Sequence, residues 1–395
     1  EFSIFISVLL ILFYVIIKYK KLEVQKHNLF FLCLAIVPLL QFFIGKIYFF
    51  GDAFIASMYI FAFLIALVLG NTLGKKVIIR QNIFLIFSCI VFLSGLVSFF
   101  LQLCQWLSFE LNTIYIIDMP PTGRPFANFG QPNTLATFLI LSVCSTLYLY
   151  ERQKIGSAVC ILVTSIFLFG IVLTQSRTPW VFALAFLIWW FWKSKAAHLR
   201  IKTQGILIGY GIYILFLCIT PFISDFLMLS FRAVEERVSS GLQRLDLWQQ
   251  MWIAVQHSPW SGYGWQQVSV AQVDTVLLSP TPFLGWTEHS HNILLDILVW
   301  NGLPLGILII ILIIWWLYRF VALVNTPENF LFLSLIGAVL VHSMFEYPLE
   351  YAFFLLPIGF LFGLIQMSEQ SISTKIFIPK CMSISILVLS CIVYG

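Results

Sequence analysis

The chain has 395 residues, of which 61% are hydrophobic and only 10% charged, against roughly 45–50% and about 25% in a soluble globular domain. Such a chain cannot cover a water-facing surface, and the composition excludes a disordered chain, a fibrous protein and a nucleic-acid module. What remains is a polytopic membrane protein, whose formal net charge of +5 has to be read side by side along the loops.

Apolar runs approaching the ~17–25 residues that cross a bilayer predict about twelve spanning helices. In chain order they are Phe2–Ile17, Leu29–Ile44, Phe54–Leu73, Ile83–Cys104, Thr134–Tyr150, Ile155–Thr174, Trp180–Trp192, Gly205–Ser224, Asn292–Tyr318, Phe330–Phe345, Tyr351–Met367 and Ile376–Tyr394. The loops between them alternate in charge. One set holds sixteen basic and four acidic residues, the other six and thirteen. The basic set is cytoplasmic by the positive-inside rule. Two outer segments are long, Gln105–Asn133 and Asp225–His291, and function concentrates on loops that connection alone does not require. The expected organisation is one integral domain: residues 1–224, a loop over 225–291 with amphipathic helices, and residues 292–395. There is no initiator Met and no recognisable signal peptide, so a piece of a longer chain is expected.

The eight cysteines fall in or at the ends of apolar runs, with no Cys-x-x-Cys pair, and read as small core hydrophobes. His289 and His291 would share a face in an extended segment, as a metal pair does. No further ligands stand at recognisable spacing and Asp-x-Asp is absent, so neither metal nor cofactor is expected.

Polar groups gather instead in outer-face segments that packing in a lipid-embedded bundle does not require. Arg124 to Asn133 ends in Gly130-Gln131-Pro132-Asn133, where Asn133 is a natural N-cap and Gln131 could orient a hydroxyl or a sugar. Gln175-Ser-Arg177-Thr-Pro179 is a very short turn with an arginine at the membrane edge, suited to phosphate or to snorkelling. Around Arg244, the residues Leu245, Trp248, Trp252 and Val255 form a stripe at helical spacing that suits an interfacial helix. Glu288-His-Ser-His291-Asn292 opens the longest run and sets His291 in or near a first helical turn. There the helix dipole disfavours imidazolium and leaves a neutral base. Finally, His342, Glu346 and Glu350 cluster at a bilayer edge with Tyr347 and Tyr351. Ionisable groups there mark either function or a buried polar network. Arginines and a neutral histidine beside lipid fit one reaction type: a lipid-linked pyrophosphate leaves while a hydroxyl loses its proton.

With these motifs in view, the chain resembles the bacterial O-antigen ligase superfamily and, more closely, its protein O-oligosaccharyltransferases, the pilin-glycosylation ligases. Carrying the resemblance are Gly130-Gln-Pro-Asn133, Ser176-Arg177, Arg244 through Trp248 with His257 through Trp265, Ser290-His291-Asn292 with Asn301-Gly-Leu-Pro304, and His342-Ser through Leu349. Glu350 departs from it, standing where a bulky apolar residue is expected. The resemblance implies an all-α polytopic bundle, glycosyltransferase C-like, in the inner membrane with its site facing the periplasm. It implies His291 as catalytic base, Arg177 and Arg244 as pyrophosphate contacts, and Gln131 with either Tyr347 or Tyr351 as further site residues. Asn133, Glu346 and His289 complete the expected substrate-binding set. The donor implied is an undecaprenyl-pyrophosphate-linked oligosaccharide, moved en bloc and with inversion to Ser or Thr of a pilin-like periplasmic protein. Ligation to lipid A-core, repeat-unit polymerisation and, in another class, a transporter or flippase are the rival expectations.

Overall fold

A computed structural model describes residues 2–19, 21–109, 119, 123–229, 234–367 and 375–379. The apolar runs form helices. In chain order the elements are α1 (Phe2–Lys18), β1 (Lys21–Gln25), α2 (Phe30–Phe43), α3 (Phe50–Gly74), α4 (Val77–Trp106), α5 (Pro132–Glu151), α6 (Ser157–Leu173) and α7 (Thr178–Lys193). They continue with α8 (Thr203–Phe226), α9 (Val234–His257), α10 (Val268–Thr275), α11 (Ile293–Ala322), α12 (Pro327–His342), α13 (Ala352–Gln366) and β2 (Lys375–Pro379). Among the described residues six helical stretches are long and apolar enough to cross a bilayer: Lys26–Phe43, Phe50–Gly74, Val77–Trp106, Pro132–Glu151, Thr203–Phe226 and Ile293–Ala322. The chain is a multi-pass membrane protein. One expected span is corrected at its start. Residues 375–379 pair antiparallel with β1, Lys21 opposite Pro379 and Gln25 opposite Lys375. The remainder of that run, with Cys381 and Cys391, lies outside the described residues.

The helices pack as two compact units that interleave in sequence. The first comprises residues 1–80, 241–323 and 343–395. Here α13 lies along α3, and glycines make the approach possible. A Cβ on Gly363 would sit 2.1 Å from the Leu67 carbonyl oxygen, and one on Gly70 2.1 Å from that of Phe360. Helices that cannot rely on a hydrophobic drive inside lipid gain contact this way. The Trp316 ring packs edge-on against Phe31 and Phe362, and its Nε1 donates to Asn28 Oδ1 at 2.8 Å.

Within this unit α11 is broken at Gly302, whose φ of 72° and ψ of 179° only glycine adopts readily. The break frees carbonyls inside an apolar span, where each needs a partner. The loop after α9 supplies them. Tyr263 N donates to Val299 O at 2.9 Å, Gly264 N to Trp300 O at 3.0 Å, and Leu303 N to Pro259 O at 2.6 Å. Gln41 of α2 ties in as well, donating to Trp300 O and accepting from Trp265 N.

The expected stripe on α9 is shifted around the helix. Among the α9 residues whose side chains are described, Leu247, Met251, Ala254 and Val255 are buried, with Gln250, whereas Leu245 and Trp252 face outward. Gln250 takes the inner position because it donates to Gln272 O and accepts from Phe283 N.

The second unit comprises residues 81–240 and 324–342. In it α5 packs against α6, α7 and α12, and α6 against α8. Phe84, Tyr148 and Phe332 form a buried aromatic cluster. At the head of α5 the N-cap is Gln131, not Asn133 as the sequence suggests. Pro132 takes the first helical position, where its missing N–H costs nothing, and Asn133 is buried in the first turn. Of the cysteines, Cys104, Cys144 and Cys160 are buried as expected, but Cys33 and Cys218 are exposed on apolar helix faces.

Candidate functional site

The site in the first unit is built outward from Ser290. Its N–H donates to the Asp296 carboxylate at 2.7 Å, and its carbonyl accepts from Trp248 Nε1 at 2.8 Å. Asn292 caps α11, accepting from Leu294 N and Leu295 N. His291 therefore lies just before the first helical turn, next to the N-cap, and takes a left-handed φ of 58°. This bend lets both flanking histidines border the same ring. Tyr347 lies 4.6 Å from His289 and 5.6 Å from His291, centroid to centroid. Ile293 N also donates to Ser343 O, which anchors the turn between α12 and α13 beside the head of α11.

That turn delivers Glu346. One carboxylate oxygen accepts from Arg244 Nη2 and the other lies 2.9 Å from His291 Nδ1. Glu346 is 4% exposed and His291 24%. A carboxylate already holding a guanidinium accepts from the imidazole, so His291 presents an N–H at Nδ1 and leaves Nε2 without a partner among the described residues. Arg244 and Trp248 are four residues apart on α9 and so share a face. One holds Glu346 while the other holds the backbone between the histidines.

A second histidine–carboxylate pair adjoins the first. His289 Nε2 lies 2.8 Å from Glu350 Oε2. Burial opposes the imidazolium, but the Glu350 bond and charge, with Asp296 and Glu288, outweigh it and raise the pKa above 6.5. Tyr347 and Tyr351 are hydrogen-bonded to each other, and burial raises both phenols, Tyr351 to about 12. Both therefore stay protonated at neutral pH. The stability that His289 draws from Glu350 is complete below pH about 6.5 and is lost as pH rises through the higher folded value. Glu350→Gln should accordingly lower the thermal unfolding midpoint most in weakly acidic buffer, where both partners are charged, with the gap to the parent narrowing in alkali. A gap independent of pH would show that the pair does not titrate this way.

The second unit holds the remaining expected residues. Gln105 of α4 pins the loop before α5, accepting from Phe126 N and Ala127 N and donating to Ala127 O. Ser98 donates to Asn128 in the same loop. Gln131 accepts from Thr134 Oγ1 at 2.7 Å. Arg124 donates to Gln175 O, which joins this loop to the short turn before α7. In that turn Gln175, Ser176, Thr178 and Pro179 are buried while Arg177, the N-cap of α7, is exposed. His342 is buried at the end of α12 with Nδ1 3.0 Å from Thr137 Oγ1, the packing network that the sequence allowed as its alternative reading.

The structure thus gathers His291, Arg244, Glu346, His289, Tyr347 and Tyr351 in one unit, and places Gln131, Asn133 and Arg177 in the other. Sequence reasoning missed three supports: Trp248 and Asp296, which fix Ser290, and Glu350, which pairs His289. For Trp248 the four-residue step from Arg244 on one helix was the available signal.

Residues 159–310 match the O-antigen ligase family, residues 125–150 the protein glycosylation ligase family, and residues 330–395 the C-terminal part of the virulence-factor membrane-bound polymerase family. A general O-oligosaccharyltransferase of Acinetobacter baylyi is 36% identical over 354 residues, 88% of this chain and 62% of that protein. A ComP-specific O-oligosaccharyltransferase of the same organism is 31% identical over 364 residues, 91% of this chain and 64% of that protein. The chain therefore spans somewhat less than two thirds of either relative.

Proposed function

We propose that the chain works as a member of the O-antigen ligase superfamily, in the protein O-oligosaccharyltransferase branch that its matches support, and that it carries out one specific reaction. The protein moves an oligosaccharide en bloc from undecaprenyl pyrophosphate to a Ser or Thr hydroxyl of a pilin-like protein, at the periplasmic face of the inner membrane. The observation that carries this reading is the Glu346 carboxylate shared between His291 and Arg244.

In the proposed step His291 Nε2 takes the proton of the acceptor hydroxyl. The hydroxyl oxygen bonds to the anomeric carbon from the face opposite the pyrophosphate. The bond from that carbon to the pyrophosphate oxygen breaks, its electron pair leaving with undecaprenyl pyrophosphate, and the anomeric centre inverts. Glu346 keeps the imidazole in the correct tautomer and stabilises the imidazolium that forms, without itself taking the proton. Arg244 and Arg177 are assigned to the leaving pyrophosphate, where guanidinium forks match phosphate oxygens. Gln131 and the Tyr347–Tyr351 pair are assigned to sugar and acceptor hydroxyls. The shorter apolar helices Ser157–Leu173, Pro327–His342 and Ala352–Gln366 would add spans to the six long ones, toward the expected number.

The test uses the full-length protein with purified lipid-linked oligosaccharide and, in parallel, a pilin-like protein and lipid A-core as acceptors. Glycan on Ser or Thr of the protein alone is expected. Transfer to lipid A-core alone, chain extension of the glycan, or solute uptake without any transfer would each overturn the assignment.

A further inference from the structure

From Val273 to Trp286 the first unit turns polar groups inward and apolar side chains outward. Leu277 is 93% exposed, Leu284 85%, Trp286 72% and Val273 64%. The stretch lies outside the helices long and apolar enough to cross a bilayer, so lipid around a span does not account for it. Single exposed apolar side chains are ordinary, but a group of them outside the spans marks a contact surface.

The backbone beneath these side chains is fixed. Gln272 of α10 donates to Phe283 O at 2.9 Å and to Gly285 O at 2.6 Å, and accepts from Thr287 N at 3.3 Å. Gln250 of α9 donates to Gln272 O and accepts from Phe283 N. Both glutamines are buried. Their clamp sets Leu284 between the two carbonyls that Gln272 holds, beside the end of α10. There Val273 and Leu277 follow each other at a four-residue step. A surface held this way loses little freedom when a partner binds. The clamp also reaches the histidine turn, where Thr287 Oγ1 donates to His289 O at 2.6 Å and accepts from His289 N at 3.3 Å. Trp286 stands five residues before His291, within about 18 Å even for fully extended backbone. A polypeptide that offers a hydroxyl to His291 has this surface in reach.

Charge narrows what can sit there. No Lys or Arg occurs between Arg244 and Arg319. The charged neighbours of the patch in sequence are Asp274 and Glu288, both exposed. Tyr263 Oη donates to Asp274 at 2.7 Å, and the His257 imidazole lies 3.0 Å from it, which holds that carboxylate at the rim. Segments that rest on a bilayer surface carry Lys and Arg to meet anionic head groups, whereas this one would bring carboxylates to them. An apolar surface rimmed by carboxylates is matched by a polypeptide that flanks apolar side chains with cations.

We propose that Val273, Leu277, Leu284 and Trp286 dock the acceptor protein through an apolar segment flanked by lysine or arginine. The inference rests on the reaction assigned above, and adds where the acceptor is held and what recognises it.

The experiment uses the full-length protein in nanodiscs with purified lipid-linked oligosaccharide. Two synthetic peptides are the probes, each with a serine beside the same apolar segment, one flanked by lysines and the other by glutamates. The photoreactive residue p-benzoylphenylalanine in place of Leu277 or Leu284 should capture the lysine peptide, with adducts read by mass spectrometry. Leu284→Ser together with Trp286→Ser should raise KM for that peptide about tenfold or more, as the loss of apolar contact area does. KM for the lipid-linked donor, kcat and the thermal unfolding midpoint should stay near the parent values, because both side chains are exposed. The parent should prefer the lysine peptide, and Glu288→Lys should abolish or reverse that preference. The preference is a ratio within one variant, so a general change in rate does not move it. Equal use of the two peptides by the parent, or a rise in KM for the donor instead of the peptide, would overturn the proposal. So would capture of phospholipid or of a second copy in place of the peptide. Glycan transfer to the peptides with no capture and unchanged KM would strike the docking surface and leave the reaction standing. Capture of the lysine peptide by a protein that transfers no glycan would overturn the assigned reaction and leave the docking surface standing.

Discussion

Replacing His291 with alanine in the full-length protein is expected to lower the rate of glycan transfer by about 10²–10⁴-fold, the range over which a positioned general base acts. The loss should fall on kcat, because Nε2 is assigned to the acceptor proton in the transition state and not to holding the donor. The ring is partly exposed and outside the helix, but it is one of the two donors to the buried Glu346 carboxylate, so some thermal stability should be lost with the rate. The left-handed φ of 58° complicates the alanine variant. His291→Asn is the matching control, since asparagine tolerates that conformation and has no basic nitrogen. Both variants should be equally inactive. Transfer near the parent rate in either one would remove His291 as the base.

Glu346→Gln is expected to have the second largest effect, on activity and on stability together. The carboxylate is almost wholly buried and meets two cationic or donor groups, Arg244 and His291. A glutamine of the same size offers one acceptor oxygen and turns an amide N–H₂ toward the other donor. Leaving one member of a buried pair unmatched costs up to about 3–5 kcal/mol. The figure here should be nearer the lower end, because a third of the Arg244 side chain remains in solvent. Transfer should fall by about 10³-fold or more, as the imidazole loses both its tautomer and its charge partner. Arg244→Lys should keep part of the stability but raise KM for the donor, since an ammonium cannot reproduce the guanidinium fork. If Glu346→Gln folds and transfers glycan normally, the shared carboxylate is not the centre of the site.

The membrane-spanning helices were legible because an apolar run is a local property of the sequence. So was the place of His291 beside the head of α11, since a histidine next to a helix-opening Asn is visible within a few residues. Its exact position was not, because Asn292 wins the cap through side-chain bonds to Leu294 and Leu295. At the head of α5 the same competition went the other way: Pro132 fixed the first turn and left Asn133 inside it. The buried face of α9 was misjudged because Trp252 and Leu245 score as core residues on hydrophobicity, whereas the polar Gln250 is drawn inward by backbone groups of residues far along the chain. Glu350 is a charge whose partner, His289, stands sixty-one positions earlier in the chain. Partners across long sequence separations leave no local trace, and most of this site consists of such partners.

The break in α11 has a consequence for how the molecule tolerates exchange of its parts. Val299 and Trp300 offer their carbonyls to Tyr263 and Gly264, and Gly262 and Gly302 each occupy the space a Cβ on the other would need. A graft that carried a relative's outer loop without its matching α11, or the reverse, would orphan two carbonyls in an apolar surrounding or force a side chain into backbone. Loop and helix thus form one cassette, to be transplanted only as a pair, and His291 travels with it.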